Sequence, residues 1–184
     1  EHLYGLGQFQ DGYLDVRQLP RRLTQVNTQI SIPFVLSSKG YGLLWNNYGL
    51  TNFNIPADSV SLTKKNIESE AVEVDVTTTE GTRRERRENN RFEATVEIAE
   101  SGRYALLLDV GQSMARRHNL QIDGQTVMEM RNVWLPPTSS TIVELEKGTH
   151  TLTAELTGND RPVVWYQLVT NSTTYNSPVA DGID

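Results

Sequence analysis

The sequence predicts an all-β protein made of antiparallel β-sandwiches. Short apolar runs recur along the chain at intervals of roughly ten residues, and clusters of Gly, Pro, Asn, Asp and Ser separate them. Several of these runs alternate apolar and polar residues with period two, most clearly from Phe92 to Ile98, which is the pattern of a strand with one buried face. No window carries apolar residues at helical spacing. This combination is typical of β-sandwiches.

The first well-marked element is a hairpin. The run Gln29–Leu36 is rich in β-forming residues, and because Pro33 cannot donate a ladder hydrogen bond we expect an edge strand here. Residues 37–40 have turn chemistry, and residues 41–45 return as a second apolar run. Beyond the hairpin lies a polar and aromatic loop of the kind in which binding residues are found, formed by Asn46, Asn47 and Tyr48.

Two segments in the first half of the chain contain adjacent arginines. Arg21 and Arg22 follow Pro20, and we expect both to lie at the surface. The segment Arg83–Arg91 reads RRERRENNR, which raises the question of a polyanion-binding patch. Its two glutamates offset the arginine charges and no aromatic residue is interleaved, so the segment is interpreted as a solvated surface.

The second half of the chain continues the β pattern. Residues 104–110 form an apolar run that we expect to be covered on both faces. Asp123-Gly124 is the clearest hairpin turn in the sequence because both residue types tolerate the positive φ of a type I′ turn. Lys147-Gly148 marks a further hairpin, and residues 163–169 form a last strand.

Composition excludes several classes of function. The net charge of −6 argues against a nucleic-acid partner, whereas neutral polysaccharides are compatible with it. No apolar run is long enough to span a membrane, so we expect no membrane partner. There are no cysteines, and His2, His118 and His150 lack further ligands at metal-binding spacing. We therefore expect no metal and no cofactor, and a structural role for His150, which lies next to a turn.

Residues 1–54 carry a series of short motifs in a fixed order. They are Gly5-Leu6-Gly7-Gln8, Gln25-Val26-Asn27-Thr28-Gln29, Ile32-Pro33-Phe34, Ser37-Ser38-Lys39-Gly40-Tyr41-Gly42 and Leu44-Trp45-Asn46-Asn47-Tyr48. Together they resemble the N-terminal β-sandwich domain of glycoside hydrolase family 31, especially its bacterial α-xylosidase-like members. In that family the domain packs on a catalytic (β/α)₈ barrel, and the loop after the hairpin leans over the sugar-binding pocket. The resemblance thus implies that residues 46–48 contact carbohydrate.

The resemblance also bears on the glycine-rich start of the chain. In the family the segment matching Gly5-Leu6-Gly7 approaches the active-site side. The residues alone predict no more than a turn that needs the backbone freedom of glycine. Both interpretations stay open at this point.

A second resemblance covers residues 92–169. Ser101-Gly102-Arg103-Tyr104, the hairpin at residues 120–124, Val143-Glu144-Leu145 and Gly148-Thr149-His150 follow one another as in the protective-antigen-type β-sandwich module. That module is found as an insert in bacterial α-xylosidases. The resemblance implies a discontinuous first sandwich, residues 1–60 plus 170–184, into which a second sandwich, residues 61–169, is inserted.

The chain carries no recognisable catalytic residue. Retaining glycosidases use two carboxylates about 5 Å apart, and in family 31 the nucleophile is an aspartate in a Trp-x-Asp-Met-Asn-Glu motif at a barrel strand. None of Trp45, Trp134 and Trp165 begins such a motif, and the α/β alternation of a barrel is missing. We therefore expect the chain to be non-catalytic, with the bond-breaking groups in a barrel of the same polypeptide.

Carbohydrate contact remains as the predicted chemistry. Sugars offer hydroxyls to amides and their C–H faces stack on aromatic rings, which suits Asn46, Asn47 and Tyr48. Trp134, close to Pro136-Pro137, is either an exposed platform for a sugar ring or a loop anchor in the core, and the anchor is the commoner role of tryptophan.

The resulting hypothesis is an accessory portion of an α-xylosidase- or α-glucosidase-like hydrolase. It would shape the substrate cleft and contact oligosaccharides or polysaccharides, such as xyloglucan fragments or other α-glycosides. Two alternatives are an autonomous carbohydrate-binding module and a structural β-sandwich without sugar affinity. The family resemblance implies a periplasmic or secreted location.

Overall fold

The computed structural model describes residues 1–46, 49–65, 71–112, 115–132, 134–156, 160–170 and 179–180. These ranges contain strands and no helix, so no helix of the described chain is long and apolar enough to cross a membrane. The strands are β1 (Leu3–Gln8), β2 (Arg21–Leu23), β3 (Ile30–Ser37), β4 (Tyr41–Leu44), β5 (Thr51–Phe53), β6 (Asp58–Ser61), β7 (Thr63–Lys64), β8 (Ala71–Thr78), β9 (Gly81–Glu88), β10 (Asn90–Ile98), β11 (Gly102–Asp109), β12 (His118–Ile122), β13 (Gln125–Met130), β14 (Thr138–Leu145), β15 (Gly148–Leu156), β16 (Val163–Leu168) and β17 (Val179–Ala180).

The larger core lies between two antiparallel sheets. One has the strand order β13-β12-β15-β10-β7 and the other the order β14-β11-β16-β6. The alternating positions of β10, among them Phe92, Val96 and Ile98, pack into this core with Leu106 and Leu108 of β11. The predicted all-β sandwich architecture is therefore confirmed, because period-two alternation buries one face of each sheet.

Strand β11 is covered on both faces, as its continuous apolar sequence predicts. Leu106 and Leu108 face the sandwich core, while the intervening Leu107 is also fully buried. Leu107 lies opposite Ser140 of β14, and the Ser140 hydroxyl donates a hydrogen bond to the carbonyl of Pro20. The segment around Pro20 thus covers the outer face of this sheet.

A smaller core is built by the N-terminal part of the chain. Strands β1, β3 and β4 form one sheet, and β2, β5 and β17 form another. Leu6, Val16, Val35 and Phe53 are buried between them. Trp45, which follows β4, is partly buried against the same cluster.

The hairpin of β3 and β4 forms as predicted, but β3 is not an edge strand. It lies between β1 and β4, with Phe34 opposite Leu44 on one side and Gly5 opposite Val35 on the other. The β1–β3 ladder shifts register between Gly5 and Gly7, directly across from Pro33, so the missing proline N–H falls at a bulge. The prediction was wrong because bulges admit proline into central strands.

The same bulge explains the glycines of β1. Gly5 and Gly7 both have positive φ, and a Cβ on Gly7 would lie 2.0 Å from the carbonyl oxygen of Ile30. Close backbone approach is thus sufficient to require glycine here.

Strands β8 and β9 form a two-stranded ribbon that pairs with no other described strand. Arg83, Arg84 and Arg86 are exposed on β9, and Arg84 lies within 4 Å of both Glu73 and Asp75 on β8. The arginine segment is therefore a solvated surface with balancing carboxylates, as predicted.

The side chain of His150 stabilises the turn between β12 and β13. Asp123 and Gly124 have positive φ, in agreement with the predicted Asp-Gly turn. His150 Nδ1 lies 2.6 Å from Asp123 Oδ2 and its Nε2 lies 2.8 Å from the carbonyl oxygen of Glu146. Both ring nitrogens face acceptors, so the imidazolium form fits best, and these contacts raise the pKa of His150.

Replacing His150 with Gln tests this contact through its pH dependence. A histidine pKa raised by folding contributes stability below its unfolded value of about 6.5, and this contribution is lost as pH rises through the folded pKa. We expect His150→Gln to cost on the order of 1 kcal/mol near pH 5.5 and less above pH 8. Urea unfolding across this pH range measures the difference.

Asp123→Asn supplies the control, because Asn tolerates the same positive φ but offers no negative charge to the imidazolium. The loss caused by His150→Gln should be less pH-dependent in the Asp123→Asn background. An equal loss at all pH values in both backgrounds would contradict the assignment.

Candidate functional site

Asn46 is exposed at the end of the β3–β4 hairpin. The preceding Trp45 is fixed in place, because its backbone N–H donates to the carbonyl of Pro33 and its indole N–H donates to Thr51 Oγ1 at 3.3 Å. Asn46 is therefore presented to solvent by a rigid neighbour. Asn47 and Tyr48, the other two predicted contact residues of this loop, lie outside the described residues.

Trp134 is not a core anchor. Its side chain is 54% exposed, and its φ of 62° is uncommon for a bulky residue. The adjacent Leu135 is fully buried and pairs with Ala115, so Leu135 anchors the loop in place of Trp134. The expectation that Trp134 anchors its loop in the core was wrong. The alternative, an exposed aromatic platform for a sugar ring, stays a prediction.

The residue before Asn46 and the backbone of Trp134 bond to different points along the chain at β3. The backbone N–H of Trp45 donates to the carbonyl of Pro33 in the middle of the strand, and the carbonyl of Trp134 accepts a hydrogen bond from the hydroxyl of Thr28 at 2.8 Å, just before the strand begins. Gln10 joins this region by donating to the carbonyl of Thr28 at 3.0 Å. No described contact joins Asn46 to Trp134 directly.

His118 and Asp160 are two titratable side chains with shifted pKa values, and both occupy structural positions. Burial lowers the pKa of His118, whose Nδ1–H faces the carbonyl of Arg116 and whose Nε2 accepts from Ser139. Burial raises the pKa of Asp160 to about 6, and this carboxyl accepts a hydrogen bond from Gln112. Among the described residues no group of three or more His, Asp or Glu side chains could hold a metal ion.

The structure corrects the expectation for Arg21. Its side chain is only 2% exposed, forms an ion pair with Asp11 and lies with its guanidinium carbon 4.4 Å from the ring centroid of Phe9. Burial lowers the pKa of Arg21, while the charge of Asp11 acts in the opposite direction. Arg22 is also largely buried and forms an ion pair with Asp109 of β11.

A cavity of about 220 Å³ lies where these arginines meet the sandwich. One wall is formed by residues 9–13 and β2, and the other by β13 and the first half of β14. Sequence reasoning missed this site. Asp11 and Arg21 are separated by ten positions in the chain, and the strands that cover them lie more than a hundred residues later, so no local signal reveals the burial.

Comparison with known proteins places the N-terminal motifs in context. No protein-family model matches the chain. An uncharacterised family 31 glucosidase of Pseudescherichia vulneris is 57% identical over 47 residues, which is 26% of this chain. An α-xylosidase of Saccharolobus solfataricus is 45% identical over 64 residues, which is 30% of this chain. The resemblance to family 31 glycoside hydrolases is confirmed.

The fold is also that of a solved family 31 enzyme. The α-xylosidase of Xanthomonas citri superposes with a TM-score of 0.57 over 93% of this chain at 21% sequence identity. The chain covers 22% of that structure, and each of the two sequence matches covers 9% of the relative's length. The similarity therefore concerns a part of the larger enzymes.

Replacing Asp11 with Asn tests the buried ion pair. The substitution keeps the shape of the side chain but leaves the guanidinium of Arg21 buried without its counter-charge. We expect a loss of about 3–5 kcal/mol in the free energy of unfolding, measured by urea denaturation.

Asp75→Asn is the matched control. Asp75 pairs with Arg84 on the ribbon, and since both side chains are mostly exposed the loss should be at most about 1 kcal/mol. A double variant, Asp11→Leu with Arg21→Met, should recover most of the stability because no buried charge remains. Equal losses for Asp11→Asn and Asp75→Asn would refute the role given to burial.

Proposed function

We propose that the chain is a non-catalytic accessory part of an α-xylosidase- or α-glucosidase-like glycoside hydrolase, which shapes the substrate cleft and contacts oligosaccharide. The observation that carries this proposal is an exposed apolar face of the β3–β4 hairpin. Alternation along β3 and the pairing of Phe34 with Leu44 put Ile30, Ile32, Leu36 and Leu44 on one face. All four are exposed, Leu44 by 67%.

An apolar sheet face of this kind is unusual on a free surface and is typical of an interface. The opposite face of β3 carries Val35 and Ser37, which are buried, so β3 is already packed on its inner side. We infer that a catalytic (β/α)₈ barrel of the same polypeptide covers the outer side. The catalytic groups would then lie in that barrel.

The proposed domain arrangement keeps residues 1–60 plus 170–184 as the first sandwich and residues 61–169 as the insert. Strand pairing supports the division into two sandwiches but moves the first boundary, because β6 (Asp58–Ser61) pairs with β16 of the larger sandwich and residues 58–60 therefore lie with the insert. β17 pairs with β5, which returns the end of the chain to the N-terminal sheet. β16 pairs with β11 inside the larger sandwich. In this arrangement the insert leaves the first sandwich and rejoins it near the same place.

The proposed sugar contacts are Asn46, Asn47 and Tyr48, with Trp134 as a second candidate. The exposed amide of Asn46 can donate and accept hydrogen bonds to sugar hydroxyls. Trp134 favours a further role, autonomous carbohydrate binding, because an exposed tryptophan offers a stacking surface without the barrel. Xyloglucan-like oligosaccharides and other α-glycosides are the proposed substrates.

Kinetics of the full-length gene product test the proposal. Loss of one hydrogen bond to a neutral sugar costs about 0.5–1.5 kcal/mol, so Asn46→Ala should raise KM for a xyloglucan oligosaccharide roughly 2- to 12-fold. We expect little change in kcat, because the contact binds substrate and transition state alike. The 184-residue chain alone should not hydrolyse an aryl α-xyloside.

Asn89→Ala, between β9 and β10, is the control and should leave KM unchanged. Hydrolysis by the 184-residue chain alone would overturn the non-catalytic assignment. An unchanged KM in Asn46→Ala would remove Asn46 from the proposed contact set.

A further inference from the structure

Strand β4 is an exposed edge of the N-terminal sheet. The strand order of that sheet is β1-β3-β4, so β4 has β3 on one side and no described strand on the other. All four residues of β4, Tyr41–Leu44, are exposed. An edge of this kind presents unpaired backbone N–H and C=O groups to whatever lies beside it.

The ladder between β3 and β4 fixes which backbone groups point outward. The backbone N–H of Trp45 donates to the carbonyl of Pro33, so these two residues form a hydrogen-bonded pair in register with the ladder. Hydrogen-bonded and non-hydrogen-bonded pairs alternate along antiparallel strands. Leu44 therefore belongs to a non-hydrogen-bonded pair, as does Gly42 two positions earlier. The N–H and C=O groups of both residues point away from β3, towards the open side.

Apolar side chains are exposed on both faces of β4. Leu44 lies on the outer face of the hairpin and is 67% exposed. Leu43 lies opposite the buried Val35 and so belongs to the inner face, yet Leu43 is 56% exposed. A domain that packs on the outer face alone leaves Leu43 in water and the outward N–H groups unpaired. A further strand beside β4 continues both faces of the sheet and pairs these groups.

Two other edge strands carry features that hinder strand addition, whereas β4 carries none. Strand β1, at the opposite edge of the same sheet, has a register shift and positive φ at Gly5, Leu6 and Gly7. Strand β13, at an edge of the larger sandwich, carries Glu129. Bulges, charges and prolines are the means by which soluble proteins keep an edge unpaired. The sequence of β4 is YGLL, so its edge is open to pairing.

We propose that a β-strand from another part of the same polypeptide, outside these 184 residues, pairs with the free edge of β4 and extends the sheet β1-β3-β4. This pairing rests on the proposed function, because it requires the chain to be part of a larger enzyme. The chain covers 22% of the Xanthomonas citri α-xylosidase and 9% of each sequence relative, which leaves most of such an enzyme outside these residues. A strand of the same polypeptide also pairs at the high effective concentration of an intramolecular contact, unlike a second molecule. Since the added strand adjoins both Leu43 and Leu44, it carries apolar side chains on both faces.

Hydrogen–deuterium exchange, read residue by residue on the full-length gene product and on the 184-residue chain, tests the proposal. We expect the amides of Gly42 and Leu44 to exchange at least about 100-fold more slowly in the full-length product, because the added strand accepts hydrogen bonds from them. The Leu43 amide is bonded to β3 in both proteins and serves as the internal reference. Its exchange rate should differ much less between the two.

Leu44→Pro and its matched control Leu44→Ala separate backbone pairing from side-chain contact. Both remove the leucine side chain, but only proline removes the outward N–H, a change that an unpaired edge tolerates. In the full-length product, Leu44→Pro should raise the exchange rate of the Gly42 amide at least about tenfold above that in Leu44→Ala. In the 184-residue chain the two variants should give the same Gly42 exchange rate.

Equal exchange of the Gly42 and Leu44 amides in the two proteins would overturn the inference, and so would equal effects of Leu44→Pro and Leu44→Ala in the full-length product. If either variant does not fold, a crystal structure of the full-length product gives the same test. A strand of the same polypeptide paired with β4 would support the inference, whereas solvent, a barrel helix or β4 of a second copy at this edge would overturn it. These results leave the non-catalytic assignment untouched, since that assignment is overturned by hydrolysis of an aryl α-xyloside by the 184-residue chain alone.

Discussion

The burial of one guanidinium, that of Arg21, is the constraint on which the arrangement of this protein depends. Removing such a charge from water costs several kcal/mol, and the cost is offset only if a counter-charge and further contacts are held in place. Asp11 and the ring of Phe9 supply them. Both come from the segment after β1, so this segment must lie against β2, and the two together must lie against β14. The ion pair thereby fixes where the N-terminal sheets meet the larger sandwich.

The segment that leads into β2 also explains why β11 is apolar on both faces. A strand buried on two sides reads as a continuous apolar run, whereas a half-buried strand alternates. Leu106 faces the sandwich core and Leu107 faces the outer side, where Ser140 bonds to the carbonyl of Pro20. The two apolar cores are thus joined through a seam that is largely polar. The stability of the seam should accordingly respond to substitutions that change charge, while each core responds to packing volume.

Features set by neighbouring residues could be predicted from the sequence, and features set by distant ones could not. The Asp123-Gly124 turn and the alternating strands follow from local chemistry. The prediction that Pro33 marks an edge strand was wrong because the bulge that accommodates this proline lies in a different strand, β1. The prediction that Arg21 lies at the surface was wrong because the strands that cover it come more than a hundred residues later in the chain. Of the predicted site, Asn46 proved exposed as a contact residue must be, and Trp134 is exposed because Leu135 took the anchoring role.

The exposed apolar face and the polar cavity make opposite demands on solvent. The face that includes Ile32 and Leu44 gains free energy whenever a large apolar surface covers it, so it suits a permanent contact with a folded domain. The cavity at Arg21 is lined by paired charges, so water occupies it at little cost and no large apolar surface is needed to cover it. The face at β3–β4 therefore favours a contact that excludes water, whereas the polar seam is compatible with water, so neither surface can substitute for the other.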